Sequence, residues 1–223
     1  QTVGDTHDVV SVATAKTMDE FNDHLRPFAQ LIEFVNSNQM GSQLSILVSH
    51  ASFPLVDKKN LTTESSILLD DILVHQLGFQ GIRVSDAMWM GDYGRLNGTE
   101  LYAAYASSFI AGLDLLMIPF AKYKGAIQAF DQLARNQVSQ EFKASLERRM
   151  GLPLAEIQEK FLDRANESLS RLKQSKKLLK HAVDVINPNA EPTNLTRSER
   201  IRYGEILHQL GYGSQVNQTL TLN

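Results

Sequence analysis

Three short apolar runs of strand length, separated by segments of helical periodicity, predict an α/β fold with a parallel sheet. The runs begin near residues 44, 81 and 113. Each is apolar without alternation, as expected of strands covered by the helices that link them. The composition of 43% hydrophobic and 21% charged residues over 223 residues is that of an ordinary globular protein with chain enough for one core.

Residues 1–14 read as loop, because Gly4, Asp5 and Thr6 are turn formers. A helix is predicted from Thr17 to about Asn36, with Thr17 as N-cap and Asp19 and Glu20 at the positive end of its dipole. Its apolar positions Phe21, Leu25, Phe28, Leu31, Ile32 and Val35 recur at helical spacing, while Pro27 predicts a kink or a late start. The first strand, 44–49, ends at His50. A second helix starts at Thr62 or Thr63, with Ile67, Leu68, Ile72, Leu73 and Leu77 on one side and Gly78 closing it. The second strand, 81–85, is closed by Asp86. Residues 91–98 read as a Gly-rich loop, and Thr99 as the cap of a helix over 100–111. The third strand, 113–118, stops at Pro119, and a helix follows over 122–136. The remainder reads as helical: 139–150, then a helix from Pro153 to about His181, a linker over 187–196 and a terminal helix over 197–211. The basic residues between Arg171 and His181 read first as a solvated face at the negative end of a helix dipole.

Several function classes are disfavoured. A net charge of −3 lacks the basic surplus that marks nucleic-acid partners. No apolar run reaches the roughly 20 residues that span a bilayer. Without cysteine there is no disulfide framework and no thiolate metal site. Phosphate-loop, Gly-x-Ser-x-Gly and His-Glu-x-x-His patterns are missing from the sequence. Both a cytoplasmic and a periplasmic location agree with the composition. The start at Gln1 rather than Met reads as a processed, trimmed or fragment terminus.

In parallel α/β folds, sites form at the carboxyl edge of the strands. His50 and Asp86 both fall there. From pattern alone, Asp86 serves equally well as a turn-capping residue, and His50 more readily as a hydrogen-bonded packing residue. Met88, Trp89 and Met90 beside Asp86 suit either core packing or the apolar floor of a sugar subsite.

The segment Gly78-Phe-Gln-Gly-Ile-Arg-Val-Ser-Asp-Ala-Met-Trp-Met90 resembles the nucleophile segment of family-3 glycoside hydrolases, especially their β-N-acetylglucosaminidase branch. Other stretches are similar to that family in the same order. Residues 19–32 look like the helix before its sixth barrel strand. Leu47-Val-Ser-His50 with Pro54 resembles that strand and its His, and residues 65–77 the helix that follows. Residues 111–118 are similar to its eighth strand. Gly4-Asp-Thr6 looks like the end of its Lys-His-Phe-Pro-Gly-x-Gly-Asp-Thr segment.

The resemblance implies a (β/α)8 TIM-barrel type, with only about strands six to eight in this chain. It places the C-terminal part of the barrel at 1–136, a helical extension packing on it at 137–186, and a linker and terminal helix at 187–223. It implies a retaining glycosidase that removes terminal β-linked N-acetylglucosamine or glucose by double displacement, with Asp86 as nucleophile and His50 and Met90 lining the sugar site. The implied partners are a β-glycoside of the kind cell walls supply and the remaining half of a barrel; because that family's chemistry uses side chains and water only, neither a metal nor an organic cofactor is implied. That branch carries Asp-Ser-His two residues after Gly-Asp-Thr, and its His is the acid/base; counted from Gly4-Asp-Thr6 the segment here reads Val9-Val10-Ser11, with Ser11 in place of the His and Val9 in place of its Asp. A serine hydroxyl is no general acid near neutral pH. His7, with Asp8 beside it, is the candidate substitute acid, on condition that the loop shifts by a few residues. The alternative is a non-catalytic relative, binding sugar or protein, that has lost this His.

Overall fold

The computed structural model describes residues 2–3, 12–13 and 15–186. Gln1–Ser175 forms one compact unit and Lys176–Asn223 a second. The expected linker and terminal helix after residue 186 lie outside the described residues, as do the side chains of Lys176, Lys177, Lys180 and His181.

Helix α1, Met18–Ser37, begins at the predicted cap: the Thr17 side chain accepts from the Glu20 amide at 3.2 Å. It runs through Pro27 without a break. Proline removes the bond to the carbonyl of residue 23, but Asp23 and Pro27 are exposed, so water serves that carbonyl. Strands β3 (Ser45–Val48), β4 (Ile82–Ala87) and β5 (Leu115–Met117) form a parallel sheet in that order. β3 and β5 are predicted runs trimmed at their ends, whereas β4 starts one residue later than predicted and runs on through Asp86 to Ala87. A short antiparallel pair, β1 (Thr2–Val3) with β2 (Val12–Ala13), replaces part of the N-terminal loop expected from the turn formers. The Ala13 amide donates to the Ser52 carbonyl at 2.8 Å, which attaches this pair beside the end of β3.

The second helix differs from its prediction. After a 3₁₀ turn at Thr62–Glu64, residues Ile67–Gln76 form a π-helix. The wider winding moves the inner face to Leu68 and Leu69 and leaves Ile67 40% exposed. The Gly-rich loop after β4 contains a one-turn helix α2, Gly91–Arg95, because Tyr93 turns inward and is fully buried. Helix α3, Gly98–Ile110, starts at Asn97 rather than at Thr99. Thr99 instead accepts from Ser145 Oγ at 3.3 Å. Helices α4 (Tyr123–Ala134) and α5 (Gln140–Met150) follow, the latter ending at Gly151 in the left-handed region. Helix α6, Leu154–Ile186, runs past His181.

One face of the sheet is covered. Val48, Leu69, Ala111 and Leu113 form a buried cluster there, with Ile46 and Leu116 against it. The other face carries the row Leu47, Val84 and Leu115, in register across the three strands, with Leu47 60% and Leu115 43% exposed. The main core lies among α3, α4, α5 and α6, where Ala103, Ile110, Leu133, Phe142, Leu146, Ile157 and Phe161 meet.

A buried charge cluster joins sheet to helices. Asp114, just before β5, accepts from the Arg83 backbone amide at 2.9 Å and from Arg164 of α6 at 2.5 Å. Arg83, with no exposed surface, also reaches the Leu69 carbonyl and Asp70 of the π-helix. Removing one partner of a buried ion pair strands the others, at about 3–5 kcal/mol. Asp114→Asn keeps the shape and loses the charge. It is expected to destabilise the protein by that order, read as a lowered midpoint of urea unfolding.

Candidate active site

The register of the sheet brings the two edge residues together. Val48 pairs with Ser85, so two residues further His50 lies level with Ala87, next to Asp86. His50 is 3% exposed. Its Nε2–H donates to the Ala87 carbonyl at 3.1 Å, and its Nδ1 lies 3.2 Å from the Thr63 hydroxyl. The Ala87 carbonyl also accepts from the Met90 amide at 3.0 Å, closing the turn that follows the strand. Asp86 is half-buried, and its Oδ1 accepts from the Ala87 amide at 2.7 Å. Strand alternation puts it on the uncovered face of the sheet, opposite the buried Ser85.

Of the neighbouring apolar residues, Met88 and Met90 are buried and Trp89 is half exposed. Met90 therefore underlies the turn, and Trp89 presents the accessible apolar surface. His7, Asp8 and Ser11, the positions that bear on the acid, lie outside the described residues. The following strand β2 is bonded to Ser52, two residues past His50.

Behind His50 runs a buried polar chain with no signature in the sequence. The Thr63 hydroxyl lies 2.9 Å from the Tyr93 hydroxyl, which is 2.9 Å from Ser108 Oγ and donates to Glu64 Oε1 at 2.8 Å. Glu64 in turn receives both arms of Arg149, at 2.5 and 2.7 Å. Thr63 has one proton to give to either His50 Nδ1 or Tyr93. Glu64 and Arg149 are 85 residues apart, so only the packing of α5 on the unit reveals the pair. Local pattern puts Arg149 at the end of an amphipathic helix and Tyr93 in a loop.

Electrostatics follow burial. Burial pushes the His50 pKa below its ordinary 6.5, against the pull of the Ala87 carbonyl and the charges of Asp86 and Glu64. Burial and the Glu64 charge hold the Tyr93 hydroxyl well above its usual range, so it stays protonated. Burial opposes the charge on Arg149, but the hydrogen bonds and charge of Glu64 outweigh it and raise its pKa. Two cavities of about 390 and 340 Å³ share Lys59, Asn60, Glu64 and Arg149. Neither lining includes Asp86. Among the described residues no three His, Asp or Glu side chains converge as a metal site. No described helix is long and apolar enough to cross a membrane.

Comparison with known proteins gives a consistent picture. The family model described as the glycosyl hydrolase family 3 N terminal domain matches residues 1–151. Zn-bound CbsA from Thermotoga neapolitana is similar in structure, with a TM-score of 0.57 at 18% identity over 93% of this chain and 36% of that one. A family 3 β-N-acetylglucosaminidase from Paenibacillus sp. str. FPU-7 has a TM-score of 0.56 at 20% identity over 92% and 34%. The β-N-acetylglucosaminidase from Thermotoga maritima has a TM-score of 0.53 at 14% identity over 90% and 35%. At these identities the likeness is one of fold. The chain spans about a third of the length of these structures. No curated protein matches.

The low pKa of His50 has a consequence for stability. Below about pH 6.5 the unfolded chain takes up a proton that folded His50 refuses until its own lower pKa is reached. Stability at this residue is thus complete above pH 6.5 and falls as pH drops through the window, by at most ~1.4 kcal/mol per pH unit. Urea midpoints at pH 7.5 and 5.5 test this: the drop is expected to be smaller in His50→Gln than in the wild type.

Proposed function

Because the chain belongs to glycosyl hydrolase family 3, we propose that it is the part of a retaining β-glycosidase that carries the nucleophile, Asp86. The supporting observation is the place of this carboxylate. It stands at the carboxyl end of the central strand β4, half-exposed on the open sheet face, with one oxygen held by the Ala87 amide. On this reading the other oxygen, Oδ2, attacks. It displaces the leaving group at the anomeric carbon, forming a glycosyl ester that water hydrolyses in a second step. The half-exposed Trp89 offers an apolar surface for a sugar ring, with Met90 beneath the same turn. His50 borders the site from β3.

The proposed acid/base is His7, which protonates the departing oxygen and later activates water. The proposed substrate is a terminal β-linked N-acetylglucosamine or glucose. That reading is supported by the sequence around Asp86 and by fold likeness to β-N-acetylglucosaminidases. The uncovered row Leu47, Val84 and Leu115 suits the packing of further βα units, and we propose that a barrel is completed there by polypeptide outside this chain. Residues 1–136 then form part of the barrel, and α5 and α6 its helical extension.

A 2-fluoro β-glycoside with a good leaving group needs little acid assistance and traps the glycosyl-enzyme. Intact mass is expected to rise by one sugar unit, with the adduct mapped to Asp86 and lost in Asp86→Ala. Turnover of an aryl β-N-acetylglucosaminide is expected to fall on the order of 10³-fold or more in that variant. His7→Ala is expected to slow a disaccharide far more than an aryl glycoside with an acidic leaving group. Sugar binding without any adduct would instead mark a binding protein.

A further inference from the structure

We infer that His50 is a positioning residue, which aims the Asp86 carboxylate through the backbone of Ala87 and is itself fixed by the buried polar chain ending at Arg149. The inference rests on the reading of Asp86 as nucleophile and adds how that group is held.

The imidazole has no capacity left for a sugar. Both ring nitrogens are engaged by protein atoms, Ala87 O and Thr63 Oγ1, and the ring is 3% exposed. Its face lies against Tyr93, with ring centroids 4.6 Å apart. What His50 grips is the peptide that follows the nucleophile. The Ala87 carbonyl accepts from His50, and the amide of the same peptide, Met88 N–H, donates to the Met117 carbonyl of β5 at 2.9 Å. That peptide is therefore clamped from both neighbouring strands. One bond upstream, the Ala87 amide holds Asp86 Oδ1. A shift in Ala87 thus moves the hydrogen bond that orients the carboxylate, and displacements well under an ångström matter to attack geometry.

The ring in turn has few ways to move. Thr63 and Ser108 have no exposed surface and Tyr93 is 1% exposed, so the links among these three hydroxyls are closed to bulk water. The chain starts in the turn after β3, passes through α2 and α3, and closes on the Glu64–Arg149 pair, with side chains 6% and 24% exposed. Helix α5, distant in sequence, is thereby connected to the aim of Asp86. A burial-lowered pKa is consistent with a neutral ring whose Nε2–H serves the carbonyl.

Glutamine and asparagine at position 50 separate positioning from packing. The glutamine amide reaches where Nε2 stands, and the asparagine amide only where Nδ1 stands. Amide hydrogen exchange of Ala87 and Met88 in the full chain is expected to speed up about 10-fold in His50→Asn, the change that loss of one net hydrogen bond gives. His50→Gln is expected to stay close to wild type. Nitrogen-15 spectra at pH 7.5 are expected to show the proton of His50 on Nε2. With the fluoro glycoside, His50→Asn and Tyr93→Phe are expected to lower the rate constant for labelling Asp86 at unchanged half-saturation, and His50→Gln to recover it. Equal exchange in all variants overturns the inference. So does a raised half-saturation with an unchanged rate constant, which would make His50 a sugar ligand. If the wild type is not labelled, the nucleophile reading fails, and the exchange data still decide whether His50 holds Ala87.

Discussion

Asp114 carries a carboxylate with no exposed surface, and the way its charge is met ties the molecule together. Arg83 of β4 answers it with its amide and its side chain, and Arg164 of α6 with its guanidinium. Arg83 continues to Asp70 and to the carbonyl of Leu69, so the π-helix joins the same cluster. Gly112 sits in the gap with a φ of +135°, where a Cβ would stand 2.9 Å from both Arg83 and Leu69, and its carbonyl takes a second bond from Arg164. Such a cluster gives little net stability compared with apolar packing, but it penalises any arrangement that leaves one member alone. It specifies which helix lies against which strand. Burial and the Arg83 charge lower the Arg164 pKa against the pull of Asp114, as two guanidiniums sharing one carboxylate must.

With the strands held in this way, the two faces of the sheet part company. The face toward α3 and the π-helix is filled by apolar side chains, and the other exposes Leu47 and Leu115. Asp86 belongs to the second face because side chains alternate along a strand and Ser85 is turned inward, where its hydroxyl accepts from the Met117 amide. The nucleophile candidate is thus presented by a rigid strand and backed by a packed core.

The polar chain from His50 to Arg149 works by the opposite logic from the apolar core. Its members are costly to bury singly and stable only together, since each hydroxyl depends on the next for a partner. It meets the edge of the sheet at the Ala87 carbonyl, next to the candidate carboxylate of Asp86. The apolar floor is divided in a similar way: Met88 and Met90 are buried beneath the turn, and Trp89 alone of the three faces outward.

The sequence by itself determined the three strands, the helices between them, the cap at Thr17, the turn at Gly78 and the candidacy of Asp86 and His50. These depend on residue type and spacing over a few positions, which is where propensity and periodicity act. Tertiary structure decided the rest. Pro27 stays inside a helix because solvent reaches the carbonyl it deprives. Residues 67–76 wind as a π-helix, and a turn of helix forms in the expected loop because Tyr93 finds buried partners. Arg83 lies within a run that its neighbours make apolar, and only the fold shows Asp114 and Asp70 as its partners. The partnership of Glu64 with Arg149, and through it the setting of His50 and Asp86, is fixed by contacts across 85 residues that no local pattern encodes.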